Sequence, residues 1–392
     1  MEIGVRKAFL PSQVFTGPRD GRIVVSGLAP VSPNVLGDFI AAPGTDAFDA
    51  IHAFTVVRQT LTMYQRGLGG TVPWAWNLTP GNTDPLSVYP HAGVTMNAFY
   101  SRSLKALKFF YFAKPNATPP ETIYTCRSLD IVSHETGHAI LDGLKPNWLA
   151  IGNPPQTGAL HESFGDLTAI FLALSQFDQI EALIAQTKAN LHDKSFLSDL
   201  AEQFGLALGR PNGLRNADND LKLSQVTNEV HDLSQIFTGG IYDVLADIFA
   251  FERRPAVRDD CVTLFEAAAY LRGLLLRAIA GAPATAATFV HVINGMVALA
   301  GSDGKPVQYQ NFIRNQFARR EVVLPATPLT ENYVKDEVLA APEETRTIGP
   351  QDRSGCCGTM RHEEYTEGEQ ALMHEVKQFE KAMKKTWAAA AP

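Results

Sequence analysis

Residues 134–138 read His-Glu-Thr-Gly-His, and residues 162–166 read Glu-Ser-Phe-Gly-Asp. On a helix, side chains four apart lie about 40° apart around the axis, so His134 and His138 leave one face. Two imidazoles on one face can share a metal ion, and zinc is the usual occupant of this spacing. Glu135 lies about 100° round the helix from His134. It is poorly angled for a ligand but close enough to act as general base toward a water on the ion. Glu162 and Asp166 share a face of a second helix. Glu162 can complete a His₂Glu set that leaves one position open, and Asp166 can accept a hydrogen bond from the far nitrogen of a ligand histidine. Were the HExxH pattern incidental, these two acids would be solvated surface groups, so their burial decides between the readings.

The rest of the chain supplies a setting. Residues 1–45 are rich in Pro and Gly, with one strand candidate at Arg22–Val25. Residues 46–66 carry Phe48, Ile51, Phe54, Val57, Leu61 and Tyr64 at helical spacing, with His52 beside that stripe as a structural histidine. Residues 86–112 read as strands, and Pro90 and Gly93 fit an edge or bulged strand. An extended peptide can add to such an edge through its backbone. The active-site helix starts near Thr122 or Ser128 and stops at Leu144, before Pro146. Helices are predicted over 160–175, 178–208, 233–252, 262–280, 284–300 and 307–319. The pattern predicts an α+β chain: a mixed, β-rich domain over 1–146, a helical domain over 147–325, and a cleft between them.

SHETGHAILD followed by GALHESFGDLTAIF resembles the thermolysin-type metalloproteases, zincins whose third ligand is a glutamate. MNAFY (Met96–Tyr100) is similar to the family's substrate-pairing edge strand, and NEVHDLSQIFTGGIYDVL (Asn228–Leu245) to its transition-state histidine segment. The resemblance covers most of residues 45–325. It implies zinc on His134, His138 and Glu162, Glu135 as general base, Asp166 orienting His134, and His231 stabilising the oxyanion. It further implies substrate contacts from Asn97, Ala98, Leu214 and Arg215, with Leu214 and Ile131 lining a pocket for a bulky apolar residue after the cut. Asp130 matches an acid that helps bind calcium in the family, but Ala173 stands where a partner acid is expected, which argues against calcium here. Asn153 stands in place of the family's tyrosine, removing one oxyanion donor. The implied activity is internal cleavage of a peptide or protein substrate, since the Gly-x-Met-Glu-Asn exopeptidase signature is absent. A zinc aminopeptidase, a narrow processing protease and a catalytically silent zinc scaffold are the competing readings.

Composition narrows the partners. A net charge of −7 with no basic run argues against a nucleic-acid binder, and no apolar stretch is long enough for a membrane span. The N-terminus shows no secretory signal, so the expected location is cytoplasmic, with export by a non-classical route left open. Cys126, Cys261, Cys356 and Cys357 do not read as a disulfide framework. Residues 326–392 form a tail: an acidic linker, then a helix with a Thr366–Glu369 capping box and an apolar stripe from Leu372 to Trp387. A thiol of Cys356 or Cys357 could reach the open zinc position and hold the site latent. The oligomeric state is left open.

Overall fold

The computed structural model describes residues 7–114, 117–200 and 215–323. Helix α1 spans Asp46–Leu68. Thr45 caps it by accepting from Phe48 N–H at 3.2 Å, and Gly69 closes it in the left-handed region at φ 65°. Phe54, Val57, Leu61 and Tyr64 of the expected stripe are buried, and α1 packs against β1 and three later helices.

Four strands, β1 (Ile23–Val25), β2 (Leu86–Tyr89), β3 (Ala98–Ser101) and β4 (Ala106–Phe109), form a mixed sheet in the order β1-β2-β4-β3. The β1–β2 and β2–β4 pairs are parallel, and β3 runs antiparallel to β4 with Tyr100 opposite Leu107. Residues 96–100 therefore do run into an edge strand. Pro90 and Gly93 do not belong to one: β2 is an inner strand that ends at Tyr89, and Gly93 lies in the connection at φ 149°. Proline has no N–H for the ladder, so an inner strand stops before it. A hairpin of β5 (Tyr111–Ala113) and β6 (Thr122–Tyr124) follows, so the next helix starts at the later of its two expected positions, after Ser128.

Helix α2 (Leu129–Leu144) packs along α3 (Pro155–Ala173), all nineteen residues of which are buried. Pro155 opens α3 at a position where the missing N–H costs nothing. Helix α4 is Phe177–Thr187 and residues 188–200 are not helical, which corrects that part of the helix expected over 178–208; its last residues, 201–208, lie outside the described residues. Lys188 and Ala189 both turn left-handed, at φ 52° and 65°, and the chain leaves the helix there. It then forms β7 (Asp199–Leu200), paired with β8 (Arg215–Asn216). Helices α5 (Val230–Glu252), α6 (Asp260–Gly281), α7 (Phe289–Ser302) and α8 (Val307–Arg319) complete the described chain. Helix α5 also packs along α3, so α3 has both α2 and α5 as close neighbours.

The molecule is thus α+β, about half helical, with eight α-helices and one small mixed sheet among the described residues. No single helix among these residues is long and apolar enough to cross a membrane. The tail helix, Cys356 and Cys357 lie outside the described residues; Cys126 and Cys261 are buried free thiols.

Candidate metal centre

Helices α2 and α3 approach closely because glycines face each other across them. A Cβ on Gly137 would stand 2.7 Å from Thr168 Oγ1 and 3.2 Å from Gly165 Cα. One on Gly165 would stand 2.7 Å from Cε1 and Nδ1 of His134, so the His134 ring lies flat on the α3 backbone. This contact brings the two motifs together. His134 Nε2 is 3.6 Å from Glu162 Oε2, and His138 Nε2 is 3.6 Å from Glu162 Oε1. One ligand atom from each of His134, His138 and Glu162 lies within 4.8 Å of the others. A separation of 3.6 Å is too long for a hydrogen bond. It suits donors around a common ion, since two atoms about 2.1 Å from a tetrahedral zinc are about 3.4 Å apart. The donor set fits zinc in chemistry and in spacing.

Glu162 is 0% exposed and Asp166 2%, so neither is a solvated surface acid. Burial of unpaired carboxylates is costly, and both are compensated. His134 Nδ1 donates to Asp166 Oδ1 at 3.0 Å, the orienting bond expected of Asp166. Arg215 clamps the same carboxylate with Nε at 3.0 Å and Nη2 at 2.6 Å. Arg215 therefore reaches the centre through Asp166, as a support for His134. His231, at the start of α5, places Nε2 3.3 Å from Glu162 Oε2 and Nδ1 2.7 Å from Glu229 Oε1. Glu229 also caps α5, accepting from the N–H groups of His231 and Asp232 at 3.0 and 2.9 Å.

These contacts set the protonation of the side chains. Burial disfavours charge on His134, but the hydrogen bond to Asp166, with Glu162 and Glu135 close by, raises its pKa to about 10. Burial likewise opposes the charged form of His231, and Glu162 and Glu229 overcome it, holding that pKa well above the usual range. Glu162 is held well below the carboxylate range against its own burial, chiefly by the charged His231. His138 is driven the other way by desolvation and stays neutral.

Glu135 stands beside this set without joining it. It is 1% exposed, and its Oε2 accepts the backbone N–H of Tyr100 on β3 at 3.0 Å. Asn97 and Ala98 lie at the start of the same edge strand, both buried, and Ala98 N–H donates to Asn97 Oδ1 at 2.8 Å. Ile131 is buried on α2, and Leu214 lies outside the described residues. Asp130 Oδ1 accepts from Ile131 N–H at 2.8 Å and from the Ser128 hydroxyl, which stabilises the first turn of α2. Asn153 is committed to its loop: Nδ2 donates to the carbonyls of Asn147 and Ala150 at 2.7 and 2.9 Å, and Oδ1 accepts from Ala286 N–H at 2.9 Å. His52 stacks on Phe48 at 6.0 Å, and desolvation lowers its pKa to about 4, as a structural histidine requires.

Sequence reasoning did not single out Glu229, His161 or the Tyr100 amide. Glu229 announced itself only as an acid ahead of a helix, and a backbone N–H has no sequence signal at all. Among the described residues two other groups bring ligand atoms together, Asp49/His91/Cys126 and His192/Asp218/Asp243. In each a carboxylate is already spent on an arginine: Arg127 on Asp49 at 2.7 and 2.8 Å, and Arg320 on Asp243 at 2.7 Å. Compared with known protein families and with curated proteins, the chain matches no family model and none of the curated proteins.

Proposed function

We propose that this protein is a zinc-dependent metalloendopeptidase of the thermolysin type, cleaving peptide bonds before bulky apolar residues. The observation that carries the proposal is the buried convergence of His134, His138 and Glu162, with Glu135 adjacent but outside the set. A zinc ion there would supply Lewis-acid chemistry, lowering the pKa of a water and polarising the scissile carbonyl. Glu135 takes the proton from the attacking water and delivers it to the leaving amine. The Tyr100 amide holds this carboxylate to β3, the strand to which an extended substrate would add beside Asn97 and Ala98. His231, kept protonated by Glu162 and Glu229, donates from Nε2 to the oxyanion. Asp166 and Arg215 keep the His134 ring in place.

The deciding experiment is hydrolysis of casein and of a quenched internal peptide, with and without a chelator, alongside metal analysis of wild type and His138→Ala. About one zinc per chain and chelator-sensitive cleavage are expected, both lost in the variant. Full zinc content in His138→Ala would sink the assignment. One observation favours a catalytically silent scaffold instead: Asn153, where the family has a donor tyrosine, is tied up in its own loop. Zinc bound without hydrolysis of blocked or free peptides would favour that reading.

A further inference from the structure

The two remaining ligand groups differ in how far an arginine claims the carboxylate. Arg127 takes both oxygens of Asp49, at 2.7 and 2.8 Å. Arg320 takes only Oδ2 of Asp243, at 2.7 Å, and Oδ1 has no hydrogen-bond partner among the described residues. The His192/Asp218/Asp243 group therefore keeps free donors. It joins three segments: His192 in the connection after α4, Asp218 just beyond β8, and Asp243 on α5. His192 Nδ1 donates to Asp218 Oδ1 at 2.9 Å, and one ligand atom from each residue lies within 4.8 Å of the others.

Negative charge is in excess here. Burial raises the Asp243 carboxyl to about 6, and Asp218 adds to the shift, so Arg320 and His192 together do not offset it. The buried side of the group carries an uncommitted oxygen as well. Burial, then Asp218, Asp243 and Asp199, hold the Tyr242 phenol above its usual range, which places its hydroxyl against these acids. That hydroxyl donates to the Leu191 carbonyl at 2.7 Å. Ser195 Oγ stands beside it without the geometry of a hydrogen bond, 2% exposed and with no other partner among the described residues. A buried hydroxyl left in this way calls for a partner.

We propose that His192, Asp218 and Asp243 bind a divalent first-row transition-metal ion, which takes the place of the proton shared by His192 and Asp218. That proton is released, and Ser195 offers a further oxygen from the buried side. An imidazole nitrogen among carboxylate oxygens suits such an ion. Calcium prefers a shell of about six to eight oxygens and has little use for the imidazole. The ion ties together two supports of the centre on α2 and α3. Asp218 follows Arg215, the clamp on Asp166, along the same segment, and Asp243 shares α5 with His231. The His192 side chain is 52% exposed, so the ion exchanges readily and is lost on dialysis, while zinc on His134, His138 and Glu162 is retained. The inference stands apart from the proposed function, because it concerns other residues.

The test uses the full dialysed chain carrying its zinc, titrated with Mn²⁺ and followed by loss of the free-ion EPR signal. About one equivalent of Mn²⁺ should bind, and His138→Ala should bind it as wild type does. His192→Ala and Asp218→Asn, both at partly exposed positions, should keep the zinc and lose the Mn²⁺. Mn²⁺ should also raise the Tm of wild type and leave that of Asp218→Asn unchanged. Calcium at equal concentration should not displace it. No bound Mn²⁺ in wild type, binding that survives both substitutions, or displacement by equal calcium would overturn the inference and leave the reading of His134, His138 and Glu162 untouched. A chain that takes up no zinc but binds Mn²⁺ through His192 and Asp218 would do the reverse.

Discussion

The Tyr100 backbone N–H donates to Glu135 Oε2 at 3.0 Å, joining the edge strand β3 to the helix that carries both histidines. The Tyr100 side chain makes a second attachment, its hydroxyl donating to Asp142 Oδ2 at 2.6 Å two residues before the end of α2. Arg102 Nε completes the anchor on Asp142 at 2.8 Å. Strand and helix are therefore held at two points, and one of them is the proposed general base.

Asp142 is 0% exposed and neutralised by Arg102. Asp142→Ala leaves the Tyr100 phenol facing a hole and the partly exposed Arg102 guanidinium without its carboxylate, a loss of about 1–3 kcal/mol. Denaturant unfolding should show that loss. Because Tyr100 also positions Glu135, kcat should fall even at temperatures where the variant is folded and holds zinc. Unchanged stability would mean that Asp142 is not the anchor described.

Glu135→Gln separates the metal from the chemistry. The amide can still accept the Tyr100 N–H, so fold and zinc content should match wild type. It has no carboxylate to take a proton, so peptide hydrolysis should fall by at least the 10²–10⁴-fold of a lost general base. Wild-type turnover in this variant would rule the mechanism out.

Zinc binding should depend on pH through His134. Without metal its pKa is raised from 6.5 to about 10, and a ligand histidine must be neutral. Between those values zinc has to displace a proton, so affinity should rise with pH by about a decade per unit for one displaced proton. The stability that His134 lends to the metal-free fold runs the other way: it is full below pH 6.5 and lost as pH rises through about 10. Calorimetric titration at pH 7.5 in buffers of different ionisation heat should show at least one proton released per ion. No release would contradict a charged His134.

What was legible in the sequence was whatever repeats at helical spacing. His134/His138 and Glu162/Asp166 each reveal a shared face, and the structure brings the two faces together. The edge strand was legible only in part: the Met96–Tyr100 stretch does run into it, but Pro90 and Gly93, the residues that signalled an edge, lie outside it. Side-chain pairings between distant residues were not. Asp49, buried under Arg127 and His91, carries no mark of its pairing in the sequence because its partners lie 78 and 42 residues away. The end of α4 was hidden for a different reason. Its left-handed residues are Lys188 and Ala189, where a glycine would have marked the turn.

His231 gives the last prediction. Its Nδ1 is bound to Glu229 at 2.7 Å, so the ring is fixed with Nε2 toward Glu162. His231→Ala should retain zinc, because His231 is not one of the three ligands, and should lose an oxyanion donor worth about 2.7–4 kcal/mol in kcat. With Asn153 engaged in its loop, no tyrosine-like donor shares that charge, and the loss should fall near the top of the range. Glu229→Gln tests the same contact from outside the site. The amide keeps a hydrogen bond to Nδ1 but removes one of the two charges that hold His231 protonated, so the alkaline limb of kcat/KM should move to lower pH. Both variants should be measured for zinc content and for kcat/KM across pH on one internal peptide. If His231→Ala is silent, another group stabilises the oxyanion; if only Glu229→Gln is silent, Glu162 alone keeps the ring charged.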